Sequence, residues 1–193
     1  MTRLARSKSR ISALRLVCLA LTGLIAVSGC GDGTPKAPLL HDGPVYQNKS
    51  AGFRFLVPQG WNQSASAQVP PALDREFLVV QYRLKTTQQG ALFEVLCFEP
   101  GPSFELPKYH RGPSHGVTQW SDDGETQVEQ IGGETAVRQR VKGVIGGRTL
   151  VKEIASFVRG KRTYSFIGVF GDGDRDGAEE INRAINSLIW SRG

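Results

Sequence analysis

The chain has 193 residues, with 24 Lys+Arg against 18 Asp+Glu and a formal net charge of +6. Five of the basic residues, Arg3, Arg6, Lys8, Arg10 and Arg15, precede Cys30, and no acidic residue does. The rest balances at 19 basic against 18 acidic residues, so the charge that would suggest a nucleic-acid partner belongs to the N-terminal segment alone.

That segment reads as a secretory signal. Basic residues lead into a largely apolar run from Leu16 to Val27, and small residues precede Cys30. The run is about a dozen residues, short of the ~20 a helix needs to cross a bilayer. Val27-Ser28-Gly29-Cys30 resembles the lipobox of bacterial lipoproteins, with Val27 where Leu is usual. The resemblance implies cleavage before Cys30, a diacylglyceryl thioether on its sulfur and acylation of the new amino group. An ordinary signal peptide with an incidental cysteine, or an uncleaved helix, is the alternative. Two or three acyl chains hold a protein firmly, at about 0.8 kcal/mol per buried methylene.

The domains expected are therefore a signal peptide at 1–29, a flexible spacer at 30–44 and a single folded domain at 45–193. With Cys18 in the signal and Cys30 acylated, Cys97 has no disulfide partner. It shares a strand face with Phe93 and Val95, where a thiol packs as a small hydrophobe.

Within the domain, Gly52 to Pro58 alternates as a strand, and Asn62 to Asp74 is polar and reads as an irregular segment. Phe77 to Leu84 and Ala91 to Phe98 are strands joined by a turn at Thr86 to Gly90. Glu99 to Asp123 is rich in proline and glycine, with room for one short helix near Phe104 to His110. Glu134 to Lys142, Thr149 to Val158 and Arg162 to Phe170 form a meander turning at Gly146-Gly147 and Gly160-Lys161. Those turns put Val151, Glu153, Ala155 and Phe157 on one face with Tyr164, Phe166 and Phe170. Ile154 and Val158 share the other with Ile167 and Val169. Both faces are apolar, so both need cover. Ile181, Ala184, Ile185, Leu188 and Ile189 recur at helical spacing, with Asp176 and Glu179 as a capping box.

The domain resembles the PsbP/Mog1/DcrB-like superfamily, which includes mycobacterial LpqN-type lipoproteins. The residues that carry this are Tyr46, Gly52-Phe53-Arg54-Phe55, Val57-Pro58-Gln59-Gly60-Trp61, Ile131-Gly132-Gly133 with Ala136, and Ile185-Asn186-Ser187-Leu188. The resemblance implies an α+β fold: a central antiparallel β-sheet in an α/β/α sandwich, with a C-terminal helix packed on the three-strand meander. Members assist photosystem assembly, bind small GTPases or have no assigned role, and enzymatic function is not typical of them.

Few groupings carry chemistry. Asp172, Asp174 and Asp176 with Gly177 match the first half of an EF-hand loop, but Arg183 stands where the closing Glu belongs. They are weak calcium candidates, against a reading as a polar loop that caps a helix. Arg138, Arg140 and Lys142 alternate on one strand face and could meet an anionic ligand or a partner's carboxylates, against cross-strand pairing such as Arg140 with Glu153. His110 and His115 flank a Gly-Pro turn and read as surface histidines, because no Cys, Asp or Glu joins them at zinc-site spacing. No nucleophile elbow or ordered triad occurs among the loop serines, so no catalytic residue is assigned.

The expectation is a non-enzymatic lipoprotein of the bacterial cell envelope, anchored through lipid on Cys30, without other cofactor and without nucleic acid. It would face the periplasm or exterior, on an outer membrane if the cell has one, as a binding or assembly module with an envelope protein as its partner. The alternative is a small-ligand or calcium-binding lipoprotein using the Asp172–Asp176 loop or the long 99–123 loop. A deep pocket under that long loop would favour the ligand reading.

Overall fold

The computed structural model describes residues 43–73, 75–84 and 90–191. The expected signal peptide, Cys30, the spacer as far as Asp42 and residues 85–89 of the expected turn lie outside the described residues. In chain order the elements are β1 (Val45–Asn48), β2 (Phe53–Leu56), β3 (Trp61–Ser66), β4 (Phe77–Leu84), β5 (Leu92–Phe98), α1 (Leu106–His110), β6 (Ser121–Asp122), β7 (Gln127–Ile131), β8 (Glu134–Ile145), β9 (Arg148–Arg159), β10 (Arg162–Gly171), α2 (Arg175–Asn186) and β11 (Ile189–Trp190).

Two antiparallel sheets result. The large one runs β3-β4-β5-β10-β9-β8-β6, with β7 also paired to β8; the small one runs β1-β2-β11. The meander turns where the glycines placed it: Ile145 pairs Arg148 across Gly146-Gly147, and Arg159 pairs Arg162 across Gly160-Lys161. The predicted register follows, with Phe157 opposite Tyr164 and Ile154 opposite Ile167.

Each face of the large sheet has its own core. On one, Phe93, Val95, Cys97, Val151, Ala155, Phe157, Tyr164, Phe166 and Phe170 meet the small sheet and α2. Ile181 of α2 lies directly over Gly168 of β10, where any added Cβ would collide with it. Ser187, just past the helix, accepts a hydrogen bond from the Leu56 amide at 2.8 Å and donates one to the Ala184 carbonyl at 2.8 Å, locking the helix end to β2. On the opposite face, Leu92, Leu96, Val141, Ile154, Ile167 and Val169 are covered by Val117 and Trp120 of the segment after β5. Both apolar faces are thus buried, one partly by a helix and one mainly by irregular chain.

Three sequence expectations are corrected. The polar stretch after Trp61 begins with a strand, β3, at the sheet's edge; pairing only with β4 and facing solvent, it shows no apolar alternation. Helix α2 ends at Asn186, so Leu188 and Ile189 lie beyond it and Ile189 pairs Arg54 in β11. Its N-cap is Asp174, not Asp176: the Asp174 carboxylate accepts from the Gly177 amide at 2.9 Å.

Candidate functional site

Segment 99–120 packs across the sheet face that carries Ile154 and Ile167, and it does so through polar side chains. Helix α1 is only five residues long, with proline in its first turn as its position permits. It delivers His110 against the sheet, where Nε2 lies 3.2 Å from both Ser156 Oγ and Ser165 Oγ; the two hydroxyls are 2.8 Å apart. Ser156 and Ser165 pair across β9 and β10, and both are buried.

Next comes a tight hairpin. Ser114 and Val117 exchange backbone hydrogen bonds at 3.1 and 3.0 Å, leaving His115 and Gly116 as its two central residues. Both have positive φ, +56° and +78°, as a type I′ turn requires. For His115 this conformation is uncommon outside glycine and carries strain of order 1 kcal/mol. The turn aims the imidazole at β5, where Nε2 donates to Glu94 Oε1 at 2.8 Å. Glu94 Oε2 accepts from Gln81 Nε2 of β4 at 2.9 Å.

Lys152 of β9 completes the set. It is 2% exposed; its ammonium donates to the His110 carbonyl at 2.5 Å and to Ser114 Oγ at 3.0 Å, and lies 4.5 Å from the Trp120 ring centroid. Trp120 Nε1 in turn donates to Ser114 Oγ at 3.0 Å. A buried ammonium is tolerated only with such partners.

Of these groups, His110, Ser114, His115, Glu94 and Lys152 border a cavity of about 280 Å³. Leu96 and Ile167 line it together with Tyr109, Pro113, His115, Glu94 and Lys152, and Glu76 also contributes. Two buried polar atoms of its lining residues, the Tyr109 hydroxyl and His115 Nδ1, have no hydrogen-bond partner. Native proteins leave few such atoms, so each needs an explanation.

Electrostatics follow from burial. Desolvation pulls Lys152 down from 10.5 to about 8, against the opposing pull of Glu94 and Glu76. Burial, aided by the Lys152 charge, pulls His110 down to about 3, so its ring is neutral at any physiological pH. Glu94 is also desolvated, but the hydrogen bond and charge of His115, with Gln81 and Arg83, hold its carboxyl below the usual range. Glu76, which remains exposed, goes the other way, raised by partial desolvation and by Glu94.

The residues singled out from sequence fall elsewhere or change character. His110 is buried and His115 half-buried, because α1 and the hairpin turn them onto the sheet. Arg138, Arg140 and Lys142 do share the face of Phe157 and Tyr164, and each meets carboxylates. Arg140 bonds Asp123 at 2.8 Å and its cross-strand neighbour Glu153. Arg138 contacts Asn182, Glu153 at 3.5 Å and Glu129 at 3.7 Å. Lys142 reaches Asp172 at 3.0 Å and Asp123 at 3.5 Å. The basic stripe and the acidic loop therefore partly neutralise each other. Asp172 pairs with Lys142, Asp174 caps α2 and Asp176 sits in its first turn. Among the described residues, no three of His, Cys, Asp or Glu converge as a metal site would need.

Sequence reasoning missed Glu94, Lys152, Ser156 and Ser165. The signal was present: all four alternate onto the Ile154 and Ile167 face, which already required cover.

No family model matches the chain, and no curated protein matches it. Solved structures do. The cyanobacterial PsbP, CyanoP, from Synechocystis sp. PCC 6803 is 16% identical with a TM-score of 0.51, covering 85% of this chain and 98% of that one. A Bacteroides thetaiotaomicron VPI-5482 crystal structure is 13% identical with a TM-score of 0.49; 78% of this chain is covered, which spans about half (49%) of that one. A Pseudomonas aeruginosa protein of unknown function is 12% identical with a TM-score of 0.44, covering 62% of this chain and 88% of that one. The class defined is a sheet-rich, antiparallel α+β domain with the PsbP fold. The resemblance drawn from Tyr46, the Phe53–Trp61 stretch, Ile131-Gly132-Gly133 and Ser187 holds at the level of fold.

Proposed function

We propose that this is a non-enzymatic lipoprotein of the bacterial cell envelope, tethered through lipid on Cys30, which binds a small ligand in the cavity beneath segment 99–120. The single observation that carries the binding half is that cavity. Its wall holds Glu94, Lys152 and His115 largely out of water. A domain of this size has no structural need for so many ionisable groups on a face that apolar side chains would bury more cheaply, and burying charge is costly. Polar groups converging in a concavity are the usual mark of a ligand site. In this reading α1 and α2 are the outer layers of the α/β/α sandwich, and the face that bears the long segment is the working one. Tethering rests on the basic start, short apolar run and Val27-Ser28-Gly29-Cys30.

A fragment screen of mixed charge, followed by amide chemical shifts, tests the binding half. Saturable shifts clustered at residues 94, 109–115 and 152 are expected. Hits that cluster only outside the cavity would contradict it.

A protein-partner reading is favoured by a different observation. Val144 and Ile145, at the end of the β8–β9 hairpin, are 62% and 39% exposed. Isolated exposed apolar residues are common, which leaves this reading second.

A further inference from the structure

Lys152 is the one buried lysine among the described residues, and it borders the cavity. Both of its hydrogen-bond acceptors, the His110 carbonyl and Ser114 Oγ, belong to residues that border the cavity as well. So do the two carboxylates that act on its charge, Glu94 and Glu76. The amine end is therefore at the cavity and not at the outer surface. An ammonium carries three N–H donors, and only two are given to acceptors here. Loss of the third proton breaks no hydrogen bond and leaves a lone pair on a nitrogen still held at two points. Desolvation favours that loss: with Lys152 drawn down from 10.5 to about 8, about a tenth of it is free amine at pH 7, against roughly one part in three thousand for an ordinary lysine. Desolvated lysines are the amines that attack carbonyl groups.

We propose that Lys152 is a covalent capture site, whose amine forms an imine with a small aldehyde admitted to the cavity. This rests on the reading of the cavity as a ligand site and names the chemistry of the ligand. The amine nitrogen bonds to the carbonyl carbon, the carbon–oxygen bond breaks, and the oxygen leaves as water with the two hydrogens the amine gives up. Nothing is oxidised or reduced, and no leaving group is needed. Protonation of the imine restores a positive charge at the nitrogen, which keeps a cation near Glu94 and Glu76. An amide or a carbamate at the same nitrogen would forfeit that charge, which singles out the aldehyde among carbonyl electrophiles. Leu96 and Ile167, with Pro113, supply apolar surface for its carbon chain. At about 280 Å³ the space lies just under the ~300 Å³ where pockets for drug-sized ligands begin, so the aldehyde is small.

The test uses the wild-type full chain in detergent micelles, incubated at pH 7 with butanal and sodium cyanoborohydride. The reductant converts each imine to a stable secondary amine, and peptide masses locate the alkylated lysines. Lys152 should be alkylated about tenfold or more faster than the exposed Lys49, Lys108 and Lys161, a smaller lead than its gain in free amine because access is narrower. That lead should shrink above about pH 9, where the exposed lysines lose their protons too. A polyethylene-glycol aldehyde, too bulky for the cavity, should alkylate the exposed three and spare Lys152. Butanal alkylation of Lys152 no faster than that of the exposed lysines overturns the capture site. Equal labelling of Lys152 by the polymer also overturns it, because the residue is then reached through unfolding. The fragment screen decides the broader reading of the cavity separately, since it reads binding without a covalent step.

Discussion

The ammonium of Lys152 lies 4.5 Å from the centre of the Trp120 ring, and both residues are at most 2% exposed. One residue is on the sheet and the other on the segment that covers it, so this contact, with the bonds to His110 and Ser114, fastens the cavity roof.

Replacing Lys152 by Met keeps the stem and removes the fastening. It leaves the buried His110 carbonyl without its ammonium partner, a loss of about 1–3 kcal/mol. Urea unfolding should show this drop, and hydrogen exchange should quicken across residues 106–120. The same variant carries a pH signature. The folded-state pKa of Lys152 is about 8 and the unfolded value is 10.5, so in between the unfolded chain binds the proton that the folded chain has released. Its contribution to stability therefore rises with pH through that window, by at most about 1.4 kcal/mol per unit. The difference between wild type and Lys152→Met should grow from about pH 8 upward; a flat difference would remove Lys152 from the interior.

His110 has the opposite end of the pH scale. Held near 3 by burial and by Lys152, against 6.5 unfolded, it stays neutral in the fold while the unfolded chain takes up a proton. Stability is lost as pH falls from about 6.5 towards 3. Its ring carbon resonances should be unchanged between pH 5 and 8. A titration midpoint near 6.5 would mean that the ring is solvated and not seated between Ser156 and Ser165.

Gly168→Ala tests how closely α2 sits on β10. The new methyl would collide with the Ile181 side chain, and overpacking of this kind costs about 1–3 kcal/mol. Thermal unfolding should show the loss, and Ile181→Val in the same chain should recover part of it. Additive effects of the two changes would show that they do not touch.

Much of the fold was legible because its signals are local. Gly146-Gly147 and Gly160-Lys161 set both turns, and with period-2 alternation they set which side chains share a face, down to Arg140 opposite Glu153. Strand β3 was hidden because an edge strand facing solvent needs no apolar residue between Asn62 and Ser64. The cavity was hidden for another reason. Glu94 and His115 are 21 positions apart and Lys152 is 42 from His110; only tertiary packing of a proline-rich segment brings them together. The left-handed His115, which aims the ring, has no sequence signature beyond the Gly116 that follows it.

The account puts the domain to work at a membrane, and Cys30 carries that claim. Cells producing the full chain, and the same chain with Cys30→Ser, are separated into membrane and soluble fractions, and the mass of the N-terminal peptide is measured. The account predicts wild type in the membranes with Cys30 N-terminal and acylated, and the variant in the soluble fraction. Membrane retention of Cys30→Ser, or an unmodified Cys30 within an uncleaved chain, would contradict it.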